Sequence, residues 1–462
     1  MILYLLIEST IGDENLQDIY NILAGSIRKI LDNWNSRDIQ DFNSITDEAL
    51  INYKKSISES IPELFDDNMN ARLLTKSNLY NMKEHLLSFM DKCVNDKRYD
   101  IMLLTISYMD QALCTILQNE ANKAFSGCER MPLNDNFKDT DIKLFPRVGC
   151  KWERASRGKN TNVRLDNYLY YLLMIDYRSV NEKYQDKHFF IESDMEFNRK
   201  YEFVTVPYSN QWNQKINYIT ENKHNLMHIQ YTGNPADDAE FVEKKIQQAR
   251  GKDIMIFPEV HGYYGLDQEV SQFLSDEFIE DLPKITILPS YWNERQNRVS
   301  ILDNFGEVMS SQKKYVPYEK NYEGNNYIED LERTNKEINI IHCEGMGRIA
   351  ILICRDFLER KLLFDIIDLY KLTMILVPSF STGNYDFIRT ANICKEMNCC
   401  VLWVNSCSAY SEDKKNNFKT ISFFTAGEVK NTINEKKEKR PPCEYITSRR
   451  QCNKECMFEY EI

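Results

Sequence analysis

The chain has 462 residues, a formal net charge of −12 and a pI near 5.3. This length predicts two or more domains, and the acidic balance argues against binding to nucleic acid or to an anionic membrane surface. No apolar run reaches the roughly 18 residues that a membrane-spanning helix needs. The start, MILYLLIEST, lacks the basic region and the small-residue cleavage site of a signal peptide. We therefore expect a cytoplasmic protein.

The cysteines are typical of a reduced protein. The chain has 13 of them, including the adjacent pair Cys399-Cys400 and single residues within apolar runs, such as Cys114 and Cys394. A disulfide scaffold would instead be a short secreted chain with cysteines spaced through loops. This usage agrees with the cytoplasmic expectation.

The first 200 residues have a helical pattern. The segments NLYNMKEHLLSFMDKCV and IMLLTISYMDQALCTILQNEANKAF carry apolar residues at helical spacing. A segment rich in Asn, Gly and charged residues, LNDNFKDTDIKLFPRVGCKWERASRGKNTNV, is typical of a loop. It is followed by the apolar LDNYLYYLLMIDY. We predict a mainly helical domain over residues 1–200, and its sequence shows no catalytic motif.

Residues 223–462 have a different texture, in which strands and helices alternate. Asn234 and Pro235 predict the start of a helix that Gly251 ends. The runs DIMIFPE, ITILPSYW, RIAILICRD, MILVPS and CCVLWVNS are nearly continuous in apolar residues, as in strands covered on both faces. The segment NRVSILDNFGEVMSSQKKYVP predicts a hairpin that turns at residues 303–306. This half is therefore predicted to be an α/β domain.

Three of these strands end in reactive side chains: Glu259, Lys314 and Cys354. Ligands of open α/β folds bind where the strands end, so the three residues are expected to share a pocket. A carboxylate can take the proton of a thiol and return it to a leaving amine. An ammonium group can stabilise the charge that develops on a carbonyl oxygen. The set therefore indicates nucleophilic cleavage at a carbonyl carbon.

The motifs of residues 223–462 resemble the nitrilase, or carbon–nitrogen hydrolase, superfamily, whose members use a Glu–Lys–Cys triad. The resemblance rests on IMIFPEVHGY, NRVSILDNFGEVMSSQKK, GRIAILICRDFLE, MILVPSFSTG, RTANICKEMNCCVLWVNS and FKTISFFTAGEV, in the family's order. Glu259 and Lys314 are 55 residues apart, and Lys314 and Cys354 are 40 apart, which also fits the family.

The resemblance implies an α-β-β-α sandwich, hydrolysis of a small-molecule amide or nitrile through a thioester, no cofactor and a homo-oligomer. It favours Lys314 over Lys313, because Lys314 lies three residues before Pro317. It places a substrate-steadying second glutamate at Glu323. Glu319 is the weaker choice for this role. The residue after the nucleophile is Arg355, which either positions an acidic substrate or pairs with Glu359.

The sequence also allows other roles for these residues. Cys354 could be a core residue like the other apolar cysteines, which would make the domain an idle scaffold or sensor that acts through protein–protein contacts, possibly in a defence-type multi-protein system. His261, two residues after Glu259, would allow a hydrolase that uses a Cys–His pair. Cys443, Cys452 and Cys456 admit a zinc site, but they lack a paired C-x-x-C spacing, and we assign no metal.

Overall fold

The computed structural model describes residues 2–75, 78–122, 128–153, 164–180, 184–191, 199–208, 213–221, 224–277, 279–409, 420–426 and 455–462. The chain forms two compact units. The first comprises Met1–Lys123, Met131–Val148 and Arg154–Asn181, and the second comprises Ala124–Arg130, Gly149–Glu153 and Glu182–Ile462.

The first unit contains mostly helices. Its elements are α1 (Ile2–Asn33), α2 (Ser36–Phe42), α3 (Asp47–Ser60), α4 (Leu79–Asn95), α5 (Tyr99–Ala112), α6 (Cys114–Asn122), α7 (Phe137–Thr140), β1 (Ile142–Pro146) and β2 (Leu172–Asp176). The segment predicted to be a loop thus holds α7 and β1, and the apolar LDNYLYYLLMIDY supplies β2, which pairs antiparallel with β1.

One hydrophobic core holds this unit together. The buried residues of α4 (Met82, Leu86, Phe89 and Cys93) recur at three- and four-residue intervals, which places them on one face of the helix. They share a core cluster with residues of α1, α5 and β1. Among the described residues, no single helix is long and apolar enough to cross a membrane, although α5 and α6, bent by 56°, together meet that test on length and composition.

The second unit contains most of the strands. Its elements are β3 (Gln185–Ile191), β4 (Glu202–Thr205), β5 (Gln214–Glu221), β6 (His224–Tyr231), α8 (Pro235–Gln248), β7 (Ile254–Ile256), α9 (Leu266–Asp276), β8 (Ile285–Ile287), β9 (Tyr291–Asn293), β10 (Gln296–Leu302), β11 (Val308–Lys313), β12 (Glu319–Tyr322), β13 (Asn325–Glu329), β14 (Glu337–Cys343), β15 (Gly347–Ile351), α10 (Arg355–Leu358), α11 (Arg360–Tyr370), β16 (Met374–Ser379), α12 (Tyr385–Glu396), β17 (Cys400–Asn405), β18 (Ser422–Thr425) and β19 (Phe458–Glu461).

These strands form three sheets. The first has the order β11-β10-β8-β7-β4-β19, with β9 paired to β10, and the second has the order β18-β17-β16-β15-β14-β3. The third, smaller sheet has the order β12-β13-β6-β5. The mixed α/β class that the sequence predicts for this half is therefore present.

The two larger sheets contact each other, and helices cover their other faces. Between the sheets, Thr205 Oγ1 lies 2.6 Å from Ser422 Oγ, and the rings of Phe203 and Phe424 are 5.1 Å apart. Helices α8 and α9 share a hydrophobic cluster with residues of the first sheet. Helix α12 packs on the second sheet, where Phe387 lies 5.3 Å from Trp403.

Two strands of the two larger sheets come from the part of the chain before residue 223. β3 pairs in parallel with β14 over seven residues, and β4 pairs in parallel with β7. The helical assignment of residues 1–200 overlooked β3, whereas β4 lies just after that range, in a part of the chain that was assigned to neither domain. Their pairing partners lie more than a hundred and about fifty residues away in the chain, so nothing local in the sequence marks them as strands of these sheets.

Candidate active site

Four chain segments leave the two larger sheets at one place. Glu259 follows β7 and Lys314 follows β11, both in the first sheet. Cys354 follows β15 and Phe380 follows β16, both in the second sheet. The strands β7, β15 and β16 are fully buried, whereas β11 is mostly polar, and each active residue comes just after its strand. The structure thus brings Glu259, Lys314 and Cys354 together.

The backbone at Cys354 is strained. It has φ 49° and ψ −100°, and residues with a side chain rarely adopt such a positive φ. The turn is held because the Cys354 N–H donates to Pro378 O at 2.9 Å, and the Phe357 N–H donates to Cys354 O at 3.2 Å. The sulfur lies 4.0 Å from the carbonyl oxygen of Phe380. A sharp turn from a strand into a short helix therefore presents the thiol.

Glu259 is 2% exposed, yet both of its oxygens have partners. Lys314 Nζ donates to Oε1 at 2.8 Å, and Asn297 Nδ2 donates to the same oxygen at 2.9 Å. The backbone N–H of Phe380 donates to Oε2 at 2.9 Å. Besides burial, the charge of Glu259 raises the pKa of the Cys354 thiol. The carboxylate is therefore fixed by three donors at the end of the cavity that the thiol borders.

Lys314 lies between two carboxylates. Its Nζ is 2.6 Å from Glu329 Oε2, in addition to its contact with Glu259. Glu329 is itself held by the Tyr318 N–H, which donates to Oε2 at 2.9 Å. Lys313 is only half-buried, and neighbouring residues of an extended chain point to opposite sides. The structure therefore places Lys314, the preferred lysine, against Glu259.

Burial and charge set the protonation states of the site. Burial raises the pKa of Glu259 above its ordinary value, and the charge of Lys314 partly offsets this. Burial lowers the pKa of Lys314, but the charges of Glu259 and Glu329 outweigh burial and hold this pKa well above its usual range. Burial, with the charge of Glu259, raises the pKa of the Cys354 thiol. The resting site is thus a thiol beside a carboxylate whose raised pKa suits a general base.

Asp356 ties the segment after Lys314 to the turn at Cys354. Its buried carboxylate accepts the N–H of Tyr315 at 3.0 Å and the N–H of Val316 at 2.7 Å. Burial raises the pKa of Asp356 to about 7. This contact fixes the spacing of the lysine and the cysteine.

The three residues border a cavity of about 830 Å³. Its reactive end is formed by Glu259, Lys314, Cys354 and Glu329, and the rest of its lining comes from the third sheet and from the segments after β16 and β17. Ligand cavities of small-molecule sites fall in the same range of volume. The sulfur therefore faces a space large enough for a substrate.

Two of the residues predicted from the sequence lie elsewhere. Glu323 is exposed and occupies, with Gly324, the two-residue turn between β12 and β13, where both residues have positive φ. The second glutamate beside the triad is instead Glu329, six residues on, whose Oε2 lies 2.6 Å from Lys314 Nζ. Arg355 is exposed and does not line the cavity. The structure records no ion pair between Arg355 and Glu359 among the described residues.

Three site residues were not predicted: Glu329, Asn297 and Phe380. Asn297 Nδ2 contacts both Glu259 Oε1 and Glu329 Oε1, the latter at 3.4 Å. Asn297 opens the motif NRVSILDNFGEV, where a polar amide just before an apolar run is the signal that could have identified it. Phe380 contributes through its backbone, which leaves no signal in the residue type.

His261, the residue of the alternative Cys–His interpretation, is enclosed by other side chains. His261 is fully buried, with Nε2 2.6 Å from Ser406 Oγ, Nδ1 3.2 Å from Asn213 Oδ1 and its ring stacked on Tyr208. Burial lowers its pKa to about 3, so its ring is uncharged and occupied by these partners.

The suggested zinc ligands are not all described. Cys443 and Cys452 lie outside the described residues, and Cys456 is half-buried. Within the described part of the chain, no group of three or more His, Cys, Asp or Glu residues is arranged to hold a metal ion.

Comparisons with known proteins give distant likenesses. No protein-family model matches the sequence, and no curated protein matches it. Among solved structures, an amidase from Nesterenkonia sp. matches 57% of this chain and 90% of its own, at 10% identity and a TM-score of 0.38. The NitFhit protein of C. elegans matches 57% of this chain and 60% of its own, at 12% identity and a TM-score of 0.36. A variant of the Nesterenkonia AN1 amidase, described as from the nitrilase superfamily, has a TM-score of 0.39 at 11% identity over 57% of this chain and 90% of its own. At these scores the likenesses assign neither a family nor an activity.

Proposed function

We propose that the second unit is a carbon–nitrogen hydrolase that cleaves an amide or a nitrile of a small molecule through a Glu259–Lys314–Cys354 triad. The observation that carries this proposal is a buried carboxylate–ammonium pair, 2.8 Å apart, that borders the same cavity as the Cys354 thiol. A core cysteine has no need of a charged pair beside it, because burying charges costs free energy.

In the first half of the reaction, Glu259 takes the proton of the Cys354 thiol as the sulfur attacks the carbonyl carbon. The carbonyl oxygen becomes an oxyanion, and Lys314 Nζ stabilises it together with the backbone N–H that follows Cys354. Glu259 then returns the proton to the nitrogen as the carbon–nitrogen bond breaks. The products of this half are an amine or ammonia and a thioester on Cys354.

In the second half, water attacks the thioester and Glu259 takes one of its protons. The sulfur leaves as the carbon–sulfur bond breaks, and the proton returns to it. The product is a carboxylic acid, and the site is restored. The function of Glu329 is to keep Lys314 charged and in place, since the lysine contacts both carboxylates.

The fold supports the same proposal. Two sheets in contact, each covered by helices on its other face, fit an α-β-β-α sandwich, and the motifs that resemble the nitrilase superfamily provide the strand ends of the cavity. We extend the proposal to a homo-oligomer, which that resemblance implies, and to a reaction without a cofactor.

Chemical labelling tests the proposal directly. The full chain is treated with chloroacetamide, an electrophile that resembles a small amide, and the modified cysteines are identified by mass spectrometry. We expect Cys354 to react first in the wild type and to react far more slowly in Glu259→Gln. Cys394→Ala is the matched control, and it should leave labelling of Cys354 unchanged.

Ammonia release from a panel of primary amides and nitriles completes the test. Release by the wild type and its loss in Cys354→Ala would support the proposal. The proposal is wrong if no compound releases ammonia and the reagent modifies the exposed Cys128 faster than Cys354.

A further inference from the structure

The third sheet turns one face toward the cavity. Ile216 of β5 and Ile229 of β6 lie directly opposite each other and both line the cavity. Residues of one strand alternate between two faces, and directly paired residues share a face. Tyr218, two residues after Ile216 and paired with Met227, therefore lies on this same face. We call this face, with its continuation on β12 and β13, the platform.

The platform continues onto the strands that carry the catalytic contacts. Glu329 of β13 pairs with Met227, so Glu329 and Tyr327 share the cavity side. Across the next pair of strands, Tyr327 lies opposite Lys320. Tyr322 pairs with Asn325 across the two-residue turn, so the even-numbered residues of β12 share a face with the odd-numbered residues of β13. Glu319 and Asn321, on the other face of β12, also border the cavity. The platform thus runs unbroken from Glu329 to Tyr322.

Three aromatic rings contact one another on the platform. The rings of Tyr218 and Tyr322 stack with centroids 4.2 Å apart and an angle of 7° between their planes. Tyr327 meets Tyr218 edge-on at 4.9 Å. Ring stacks of this kind offer a flat apolar surface to another planar group. Tyr322 is among the residues that line the cavity.

Lys320 places one positive charge beside these rings. Its Nζ lies 5.7 Å from the centre of the Tyr218 ring, and Lys320 lines the cavity. The other lysine of the lining, Lys314, is already in contact with two carboxylates. Among the described residues, no ion pair is recorded for Lys320. This charge is therefore available to a ligand.

The spacing along β12 sets a length for the ligand. Tyr318 lies level with Glu329, since the Glu329 N–H donates to Tyr318 O. At about 3.3 Å per residue, Lys320 is about 7 Å and Tyr322 about 13 Å along the strand from that level. Met227 is level with Glu329, and its apolar side chain lines the cavity together with Ile216 and Ile229.

We infer that the substrate is an amide whose acyl chain carries a planar aromatic ring with an anionic group, the ring resting on the tyrosines of the platform and the anion meeting Lys320. This inference rests on the proposed function for the identity of the reacting bond, but the platform would bind such a molecule whether or not it is cleaved.

Three amides that differ only at the far end test the inference. They are para-carboxyphenyl-butanamide, unsubstituted phenylbutanamide and para-aminomethyl-phenylbutanamide, with butanamide as the compound that lacks a ring. We expect kcat/KM of the wild type to be highest for the carboxylate, by about tenfold over the unsubstituted ring, since a charge-assisted contact of this kind is worth about one power of ten. The cationic compound should be the poorest of the ring compounds.

Two variants with the same change of charge test whether Lys320 causes the preference for the carboxylate compound. Lys320→Glu should reverse the order of the carboxylate and the cationic compound, while Lys215→Glu should not, because Lys215 lies on the opposite face of β5 and is exposed. Tyr322→Leu should reduce kcat/KM for all three ring compounds by about three- to tenfold and leave butanamide unchanged. An unchanged order in Lys320→Glu overturns the inference.

Binding separates this inference from the proposed function. Calorimetry with Cys354→Ser measures the affinity for the carboxylate compound without turnover. If the wild type releases no ammonia but Lys320→Glu weakens this binding and Lys215→Glu does not, the platform stands and the proposed function fails. If ammonia is released with no preference among the compounds, the function stands and the platform fails. No release and no binding overturn both.

Discussion

Cys354 and Cys394 are both buried, at 6% and 0% exposure, but their surroundings differ greatly. Both thiols lie in the interior, and burial raises the pKa of both, that of Cys394 to about 12. Cys394 lies within helix α12, where a backbone hydrogen bond partly offsets the effect of burial on its pKa. Cys354 lies at a strained turn beside Glu259 and Lys314 and borders a cavity. Burial alone therefore does not separate a structural cysteine from a nucleophile, whereas a charged pair and access to a ligand do.

The largest expected effect is the loss of the nucleophile. Cys354→Ala should reduce kcat for amide hydrolysis by about 10⁴-fold or more, because no other group can form the thioester. Cys394→Ala should stay within about twofold of the wild type, since a buried helix residue takes no part in the reaction. Ammonia release measures both, and equal losses in the two variants would make Cys354 a structural residue.

The next effect is the loss of the base, with its pH dependence. Glu259 must be ionised to accept the thiol proton, so kcat/KM should fall about tenfold per pH unit below the raised pKa of this carboxyl. Glu259→Gln should lower kcat by about 10²- to 10⁴-fold and abolish this acid limb. The pH profiles of both proteins check the prediction; an acid limb that persists in Glu259→Gln would assign the titration to another group.

Substitutions of the neighbouring residues Lys314 and Lys313 test whether Lys314 stabilises the oxyanion. Lys314→Met should lower kcat by about 10²- to 10³-fold through the loss of one donor to the oxyanion. Lys313→Met should change kcat little, because Lys313 lies outside the contacts of the triad. Thermal unfolding of both variants verifies the fold, since Lys314→Met leaves Glu259 and Glu329 without their shared cation. Equal kcat values for the two variants would remove Lys314 from the mechanism.

The smallest effect concerns the backbone at the two cysteines. At residue 354, φ is 49°, so Cys354→Gly should have a free energy of unfolding about 1 kcal/mol above that of Cys354→Ala. At residue 394, inside a helix, the order should be opposite, with Cys394→Ala about 1 kcal/mol more stable than Cys394→Gly. Chemical denaturation of the four variants measures both differences, and the same sign at both positions would contradict the strain at Cys354.

Glu259 and Cys354 could be predicted from the sequence because each comes three residues after a buried apolar strand, β7 and β15. Lys314 follows β11, which is mostly polar, so the choice of this lysine depended on the resemblance. Glu329 could not be predicted, since Glu319, Glu323 and Glu329 all follow Lys314, and the pairing of β12, β13 and β6 decides which of them reaches it.

The strands β3 and β4 were missed for a different reason. Each is stabilised by pairing with a strand far along the chain, β14 and β7 respectively. β3 was missed because the sequence before it has a helical pattern, and β4 has only four residues. The predicted hairpin that turns at residues 303–306 is present as β10 and β11, because its turn and its two arms are adjacent in the sequence.

The peptide groups of Phe380 join the acid to the sulfur, as its N–H binds Glu259 and its carbonyl oxygen lies near the Cys354 thiol. Main-chain atoms are the same for every residue type except proline at the N–H. Evolution can therefore exchange the side chain at this position, and with it the shape of one wall of the cavity, while the alignment of acid and sulfur is kept. A lineage of such enzymes could change its substrate here without first losing its chemistry.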